Sequence, residues 1–252
     1  MRLLVDLGNS RVKWASWRDG RLGEQRAAAY AGWSVEDWQR TLFAEPGIER
    51  VFAARVGGGP DAAALDAAAR RVTAHPVTFV ATAAEAGGVR NAYPDPGLLG
   101  VDRWLAVIAA YARVGGACCV ADVGTAATVD GVDADGRHLG GFIVPGPDLM
   151  MRALWRGTAD LATHTATSGA AAGSPFADNT RDAIERGCRL AVAALVDRSV
   201  REMTRRTGTE PRVLLTGGAA PAVAGLLETA AENVPDLVLR GLAIVAGEGR
   251  AG

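Results

Sequence analysis

The chain opens on an apolar run, Leu3-Leu4-Val5, that ends in Asp6, passes a small polar turn at Gly8-Asn9-Ser10, and resumes as an alternating run from Val12 to Trp17. Alternation on either side of a Gly turn predicts a β-hairpin. Arg18-Asp19-Gly20 marks the next turn, and residues Arg21 to Tyr30 add a third antiparallel strand. Ser34-Val35-Glu36-Asp37 starts a helix that runs to about Phe43, with Ser34 as N-cap and Asp37 where a capping box usually carries Glu or Gln. A short strand over Arg50 to Val56, an Ala-rich helix over Asp61 to Val72 and a strand over Val77 to Ala81 follow. The Pro/Gly loop from Asn91 to Gly100 then leads into a helix with Leu105, Ile108, Ala109 and Ala112 on one face.

From Ala117 the pattern begins again. Cys119-Val120-Ala121-Asp122-Val123-Gly124-Thr125-Ala126 repeats the apolar run, the acid, the Gly and the small polar residue, and continues in alternation to Val132. A turn at Asp133-Ala134-Asp135-Gly136 returns through His138 to Val144, a strand bracketed by Gly140-Gly141 and Pro145-Gly146. The pattern then predicts a helix from Pro147 to about Leu161, a small-residue loop or lid from Ala162 to Asp178, and a long helix from Asn179 or Thr180 to about Arg206. Arg212 to Leu215 reads as a strand ending in Thr216-Gly217-Gly218, Pro221 to Glu232 as a helix, Leu237 to Leu239 as a strand, and the chain closes in a short helix.

One acid-bearing strand–turn–strand at the start of each half is the mark of a duplicated chain, with halves at 1–115 and 116–252. Two acids at equivalent turns can face each other across a cleft between the halves. The pattern resembles that of the acetate and sugar kinase, heat-shock chaperone and actin superfamily, in which two such motifs close on one nucleotide. The resemblance implies an α/β fold of duplicated ribonuclease H-like (actin-like ATPase) halves, with mixed five-stranded sheets and flanking helices.

Composition narrows the function without choosing it. A net charge of −1 leaves no global basic footprint for nucleic acid. The three cysteines, Cys118, Cys119 and Cys188, are odd in number and lack zinc spacing, so they read as buried or free thiols in a reducing compartment. Met1-Arg2-Leu3 enters a strand at once, and the longest clean apolar run, Trp104 to Ala112, is too short to span a bilayer. A cytoplasmic protein without membrane contact is expected.

The chemistry starts at the first turn. Gly8 lets the backbone approach a ligand closely. Asn9 and Ser10 offer N–H groups and short polar side chains to a phosphate, Asp6 can hold Mg²⁺ directly or through water, and Lys13, the only lysine in the chain, can reach back as a point charge. An ordinary surface hairpin with a polar turn is the plainer reading of that stretch alone. Asp102, at a helix start next to Arg103, is likewise an ordinary carboxylate meeting the helix dipole when read alone. The histidines His75, His138 and His164 are scattered and read as surface or loop residues, with His164 placed in the lid. Ser168 and Ser174 lack a nucleophile context. The six tryptophans read as core or dimer-contact residues.

Six motifs in order make the resemblance specific. They are Asp6-x-Gly8-Asn9-Ser10, Gly100-Val101-Asp102-Arg103 with Tyr93 upstream, Asp122-x-Gly124-Thr125, Gly140-Gly141-x-Ile143-x-Pro145-Gly146, Asn179-Thr180, and Leu214-Leu215-Thr216-Gly217-Gly218. Together they resemble the type III pantothenate kinases across the whole chain. That resemblance assigns Asp6, Leu7, Gly8, Asn9, Ser10, Arg11, Val12 and Lys13 to the ATP phosphates and, through Asp6, to Mg²⁺. It assigns Thr125 to ATP and Asp122 to a monovalent cation, K⁺ or ammonium. Asp102 becomes the general base, and Tyr93, Gly100, Val101, Asp102, Arg103 and Thr180 line the pantothenate site. It also implies a homodimer whose substrate pocket lies partly at the subunit interface.

General chemistry agrees. The primary alcohol of pantothenate loses a proton as it attacks the γ-phosphorus, and a carboxylate within hydrogen-bond reach can accept it. An acidic cleft repels a polyphosphate unless cations are bound. Arg103 can position the substrate or stabilise the transferring phosphoryl. The competing readings are another small-alcohol kinase or polyphosphate phosphatase of the superfamily, and a non-enzymatic transcription accessory factor of the same fold. No helix-turn-helix or basic stripe supports direct DNA contact.

Overall fold

The computed structural model describes residues 1–55, 60–157 and 176–248. The chain divides into two compact units. The first takes Met1–Gly115, Gly136–His138 and the stretch from Asp236 onward; the second takes Gly116–Asp135 and Leu139–Pro235. The last helix therefore packs with the first unit, although the sequence reading put it in the second half.

In the first unit, β1 (Arg2–Leu7) and β2 (Val12–Arg18) form the expected antiparallel hairpin, with Asp6 opposite Lys13 and Leu7 opposite Val12. The third strand is split into β3 (Arg21–Leu22) and β4 (Arg26–Ala28), both paired with β2. Between them Gly23 donates its N–H to the Ser16 carbonyl at 2.8 Å, so close that a Cβ there would lie 2.6 Å from Ser16 Oγ. Helix α1 (Val35–Leu42) begins at Ser34 with a complete capping box closed by Asp37. Strand β5 (Arg50–Arg55) runs parallel to β1, helix α2 spans Pro60–Thr73, and β6 (Thr78–Phe79) lies parallel to β5. The sheet order is β3-β2-β1-β5-β6, with β4 also on β2. A small hairpin not expected from the sequence, β7 (Glu85–Ala86) with β8 (Val89–Arg90), precedes α3 (Val101–Val114).

Alternation decides the faces. Leu3, Val5 and Leu7 of β1 join Trp38 and Leu42 of α1 and Leu65, Ala68 and Ala69 of α2 in one core. Arg2, Leu4 and Asp6 point to the other face. There Arg2 lies over the rings of Trp17 and Phe52, at 4.8 and 5.1 Å, and donates to the Ala246 carbonyl of the last helix at 2.7 Å. That helix, Leu237–Glu248, packs along α3 so tightly that a Cβ on Gly241 would fall on the Leu105 backbone carbonyl.

The second unit repeats the plan. Strands β9 (Cys118–Val123) and β10 (Ala126–Val132) are antiparallel, β11 (His138–Pro145) extends the sheet, and α4 covers Pro147–Gly157. Helix α5 (Thr180–Thr207) is about 42 Å long at 1.5 Å per residue. Strand β12 (Arg212–Thr216) runs parallel to β9, and β13 (Ala231–Asn233) parallel to β12, giving the order β11-β10-β9-β12-β13. Cys119, Ala121 and Val123 face Val192, Val196 and Val200 of α5. The two sheets share one plan: an antiparallel three-strand meander followed by two parallel strands. This is the duplicated ribonuclease H-like α/β fold.

The end of the chain corrects the sequence reading. Helix α6 covers only Ala220–Ala224, the segment expected to continue it ends in β13, and Leu237 to Leu239 belong to the last helix, α7 (Leu237–Glu248), rather than to a strand. The reasons are tertiary. Buried Asp197 of α5 accepts the N–H groups of Glu228 and Thr229 at 3.1 and 3.2 Å, and Val213 to Leu215 supply a free sheet edge for Ala231 to Asn233. Leu237, Val238, Leu239 and Leu242 are buried together, and a short apolar run buried on all sides carries no period that separates helix from strand. The expected lid, apart from residues 176–178, and His164, Ser168 and Ser174 lie outside the described residues. Among the described residues, no helix is long and apolar enough to cross a membrane.

Candidate active site

Asp6 and Asp122 occupy the same step of the two repeats. Each is the next-to-last residue of the first strand of its hairpin, on the face opposite the α1/α2 core in one unit and opposite the α5 core in the other. In the first unit Asp6 is only 8% exposed, and the hairpin register sets Lys13 beside it on the same face. Leu7 and Val12 are buried and anchor the turn, while Asn9, Ser10 and Arg11 are exposed at its tip. Gly8 closes the turn by donating to the Arg11 carbonyl at 3.2 Å. The Gly8 carbonyl in turn accepts the Tyr30 hydroxyl at 2.6 Å. Tyr30 packs on Trp38, ring centroids 5.4 Å apart, and burial, with the nearby charge of Asp61, pushes its phenol above the usual value. Nothing in the sequence pattern singles out Tyr30; its role exists only because β4 and α1 bring it under the turn.

Asp102 sits in the first turn of α3. Its Oδ1 accepts the Arg103 N–H at 2.8 Å, and a Cβ on Gly100, the N-cap, would stand 2.7 Å from that oxygen. Gly100 thus leaves room for the carboxylate. Val101 is buried and fixes the helix start, and Arg103 is only 6% exposed. Arg103 Nη1 donates to the Tyr93 hydroxyl oxygen at 3.1 Å, and the guanidinium carbon lies 5.9 Å from the Tyr93 ring centroid. Tyr93, Gly100, Val101, Asp102 and Arg103 therefore form one cluster in the first unit.

His138 departs from the sequence reading. It is 1% exposed, with its ring near-parallel to Tyr93 at 8° and 6.4 Å. A lone histidine after a turn carries no signal for that placement. His75 is exposed, as expected.

In the second unit, Asp122, Gly124 and Thr125 are enclosed by glycines from two later segments. Gly217, at φ +94°, packs against Asp122 Oδ1 and the Val123 carbonyl, where a side chain would collide. A Cβ on Gly146 would strike the Gly124 carbonyl, and the Gly146 N–H donates to the Thr125 carbonyl at 2.9 Å. The Ala219 N–H donates to the Val123 carbonyl at 2.9 Å. The Asp122 turn is thus packed closely by Gly146, Gly217 and Ala219, and Thr125 is exposed. Thr180 opens α5, behind an Asn179 cap whose side chain accepts the Asp182 N–H at 3.0 Å.

Among the described residues, no group of three or more His, Cys, Asp or Glu side chains forms a metal cage. Burial raises the thiols of Cys118 and Cys119 to about 12, and raises that of Cys188 as well, so these groups are packing residues rather than nucleophiles.

The profile of the type III pantothenate kinases matches residues 2–202 of the chain. Over 251 residues, spanning the whole of both chains, it is 43% identical to a type III pantothenate kinase from Aromatoleum aromaticum. It is 41% identical to one from Alkalilimnicola ehrlichii over 249 residues, 98% of each chain. Among solved structures, a protein from Campylobacter jejuni described as a Baf family transcriptional activator covers 98% of both chains at TM-score 0.57 and 18% identity. Component A of the (R)-2-hydroxyglutaryl-CoA dehydratase of Acidaminococcus fermentans covers 100% of this chain and 99% of its own at TM-score 0.56 and 16% identity. At those identities the two structures show a shared fold.

Proposed function

The chain belongs to the type III pantothenate kinase family, and from that membership we infer that it transfers the γ-phosphoryl group of ATP to the primary hydroxyl of pantothenate, giving ADP and 4′-phosphopantothenate in coenzyme A biosynthesis. Asp102 is the general base. It takes the hydroxyl proton as that oxygen bonds to the γ-phosphorus and the bond to ADP breaks. The observation that carries this role is the cluster around it: an acid at a helix start, given space by Gly100 and flanked by a buried guanidinium tied to Tyr93. Arg103 positions the anionic substrate, and the hydrogen bond from its Nη1 to Tyr93 favours that role over a mobile one at the phosphoryl. Thr180 completes the pantothenate site.

The turn from Asp6 to Lys13 receives the ATP phosphates, and Thr125 contacts the nucleotide. Mg²⁺ commonly binds through one or two carboxylates, phosphate oxygens and waters, so a single buried acid beside a phosphate turn fits an ion that arrives with ATP, held through Asp6. Such an ion neutralises charge on the transferring phosphates. The Asp122 carboxylate is the group that would hold K⁺ or ammonium. We place the protein in the cytoplasm, acting on small molecules rather than nucleic acid or membrane. It works as a homodimer, a reading supported by apolar side chains exposed in the second unit: Phe142 at 52%, Ile143 at 62% and Leu190 at 50%.

The transcription-factor reading is not favoured, because relatives at 36–43% identity over nearly the whole chain are kinases by name. The experiment is a coupled ADP-release assay with ATP, Mg²⁺ and K⁺. Release should depend on pantothenate and fall by at least about 100-fold in Asp102→Asn, with the fold intact. Retained turnover removes Asp102 as base. Replacing K⁺ by Na⁺ in the same assay should cut the rate sharply, and indifference removes the cation from Asp122.

A further inference from the structure

The segment leading to Tyr93 is tied at every step. Four successive backbone N–H groups have acceptors: Arg90 gives its own to the Gly136 carbonyl at 2.9 Å, Asn91 to the Ala84 carbonyl at 2.8 Å, Ala92 to His138 Nδ1 at a long 3.5 Å, and Tyr93 to Asn91 Oδ1 at 2.9 Å. The Asn91 side chain is itself held, its Nδ2 donating to the Ala83 carbonyl at 3.2 Å. His138 is buried, and its imidazole lies nearly parallel to the Tyr93 ring. The turn that carries His138 sits hard against this segment: Gly136, at φ +76°, has the Gly88 carbonyl where a Cβ would be, and the Tyr111 ring 3.1 Å from it. Beyond the Tyr93 ring, its hydroxyl receives the Arg103 hydrogen bond.

We propose that Asn91 and His138 are positioning residues of the pantothenate site, which fix Tyr93 and through it Arg103. The inference rests on the reading that Tyr93 and Arg103 line that site. Asn91 Oδ1 sets the backbone of Tyr93 through a one-turn Asx hydrogen bond. His138 supplies an acceptor to the preceding N–H and a flat wall beside the ring. To accept that N–H, Nδ1 must present its lone pair to it. Without the two side chains the Tyr93 ring keeps its chemistry and loses its place. A misplacement on the order of 1 Å can cost up to about 100-fold in an enzyme site. Here the loss falls on pantothenate binding, because neither residue belongs to the phosphate turn or the Asp122 turn.

The test is steady-state kinetics on the full-length protein, with KM for pantothenate and for ATP measured separately and thermal melting as a control. His138→Leu and Asn91→Ala should each raise the pantothenate KM about tenfold while the ATP KM stays unchanged and kcat moves less than about twofold. His138→Asn, whose Oδ1 takes the place of Nδ1, should recover most of the loss. An equal rise in both KM values, no rise, or His138→Asn no better than His138→Leu overturns the proposal. If His138→Leu does not fold, Asn91→Ala, at a partly exposed position, carries the same expected split and the same overturning outcomes. Tyr93→Ala separates the two readings. An unchanged pantothenate KM in Tyr93→Ala removes the site assignment itself. A raised one, alongside unchanged His138 and Asn91 variants, removes only the positioning role.

Discussion

Tyr30 shows what one atom can do at the turn proposed to receive the phosphates. Its hydroxyl is the donor that meets the Gly8 carbonyl, and its ring is wedged among Trp38 and the β1 core. Tyr30→Phe keeps the ring and removes the donor, leaving a carbonyl in a part-buried turn without that partner, a loss of about 1 kcal/mol or more. The turn should loosen, and the KM for ATP should rise several-fold with the pantothenate KM unchanged. A Tyr30→Phe enzyme with an unaltered ATP KM would show that the turn is held by its backbone alone. Asp6, Gly8 and Asp102 were legible because their meaning lies in adjacent residues: a strand end, a turn and a helix start. Tyr30, Asn91 and His138 were not legible, because their partners are contacts across the fold. Asn91, two residues before Tyr93, was the nearest to a readable signal, as an Asx turn spans that interval.

At the scale of elements, local chemistry reads well where it is self-contained. Helix α1 starts at Ser34, where Ser34 Oγ accepts the Asp37 N–H at 3.2 Å and Asp37 Oδ2 accepts the Ser34 N–H at 2.9 Å. Ser34→Ala should cost about 1 kcal/mol in urea unfolding, because it strips an orphan helix donor of its partner. The hydrogen bond from the Ser34 N–H, then the Ser34 hydroxyl and the charge of Arg40, holds the Asp37 carboxyl below its usual value. A carboxylate lowered in the folded state contributes its stability above the ordinary acid range, and the contribution fades as pH falls through the lowered value. The Ser34→Ala penalty should therefore shrink at acid pH; a pH-independent penalty would assign it to the N-cap hydroxyl alone. Helix α6 and strand β13 show the opposite case. Their boundary depends on Asp197, a helix residue more than thirty positions distant from the N–H of Thr229 that it accepts.

On the scale of the whole molecule, the second unit exposes Phe142 and Ile143, successive residues on opposite faces of β11, with Leu149 and Leu154 exposed on α4 and Leu190 on α5. Apolar groups gathered in one unit suit burial against a second copy of the chain. Light scattering should give a dimer for the unaltered protein. Ile143→Asp, which would place a charge at the most exposed of these apolar positions, should shift it to monomer and depress turnover with it. A dimer that survives Ile143→Asp would move the interface elsewhere, and a fully active monomer would remove the shared pocket.

The duplication was determined by the sequence alone, because an acid before a Gly turn, flanked by alternating residues, is a local pattern that recurs without reference to the fold around it. The β1–β2 and β9–β10 hairpins, helices α1 to α5 and strands β5 and β12 follow from periods of 2 and 3.6, from turn residues and from caps, each readable within about a dozen residues. Tertiary structure decided the rest. It turned Leu237 to Leu239 from a strand into part of a helix, since an apolar run buried on all sides has no face to reveal its period. It set that helix along α3, where Gly241 allows contact with Leu105. It buried His138 beside Tyr93 and Asp197 beneath the Glu228 and Thr229 backbone. In each case the partner is far along the chain, and what stabilises the arrangement is desolvation and hydrogen bonding between segments that only the completed fold brings together.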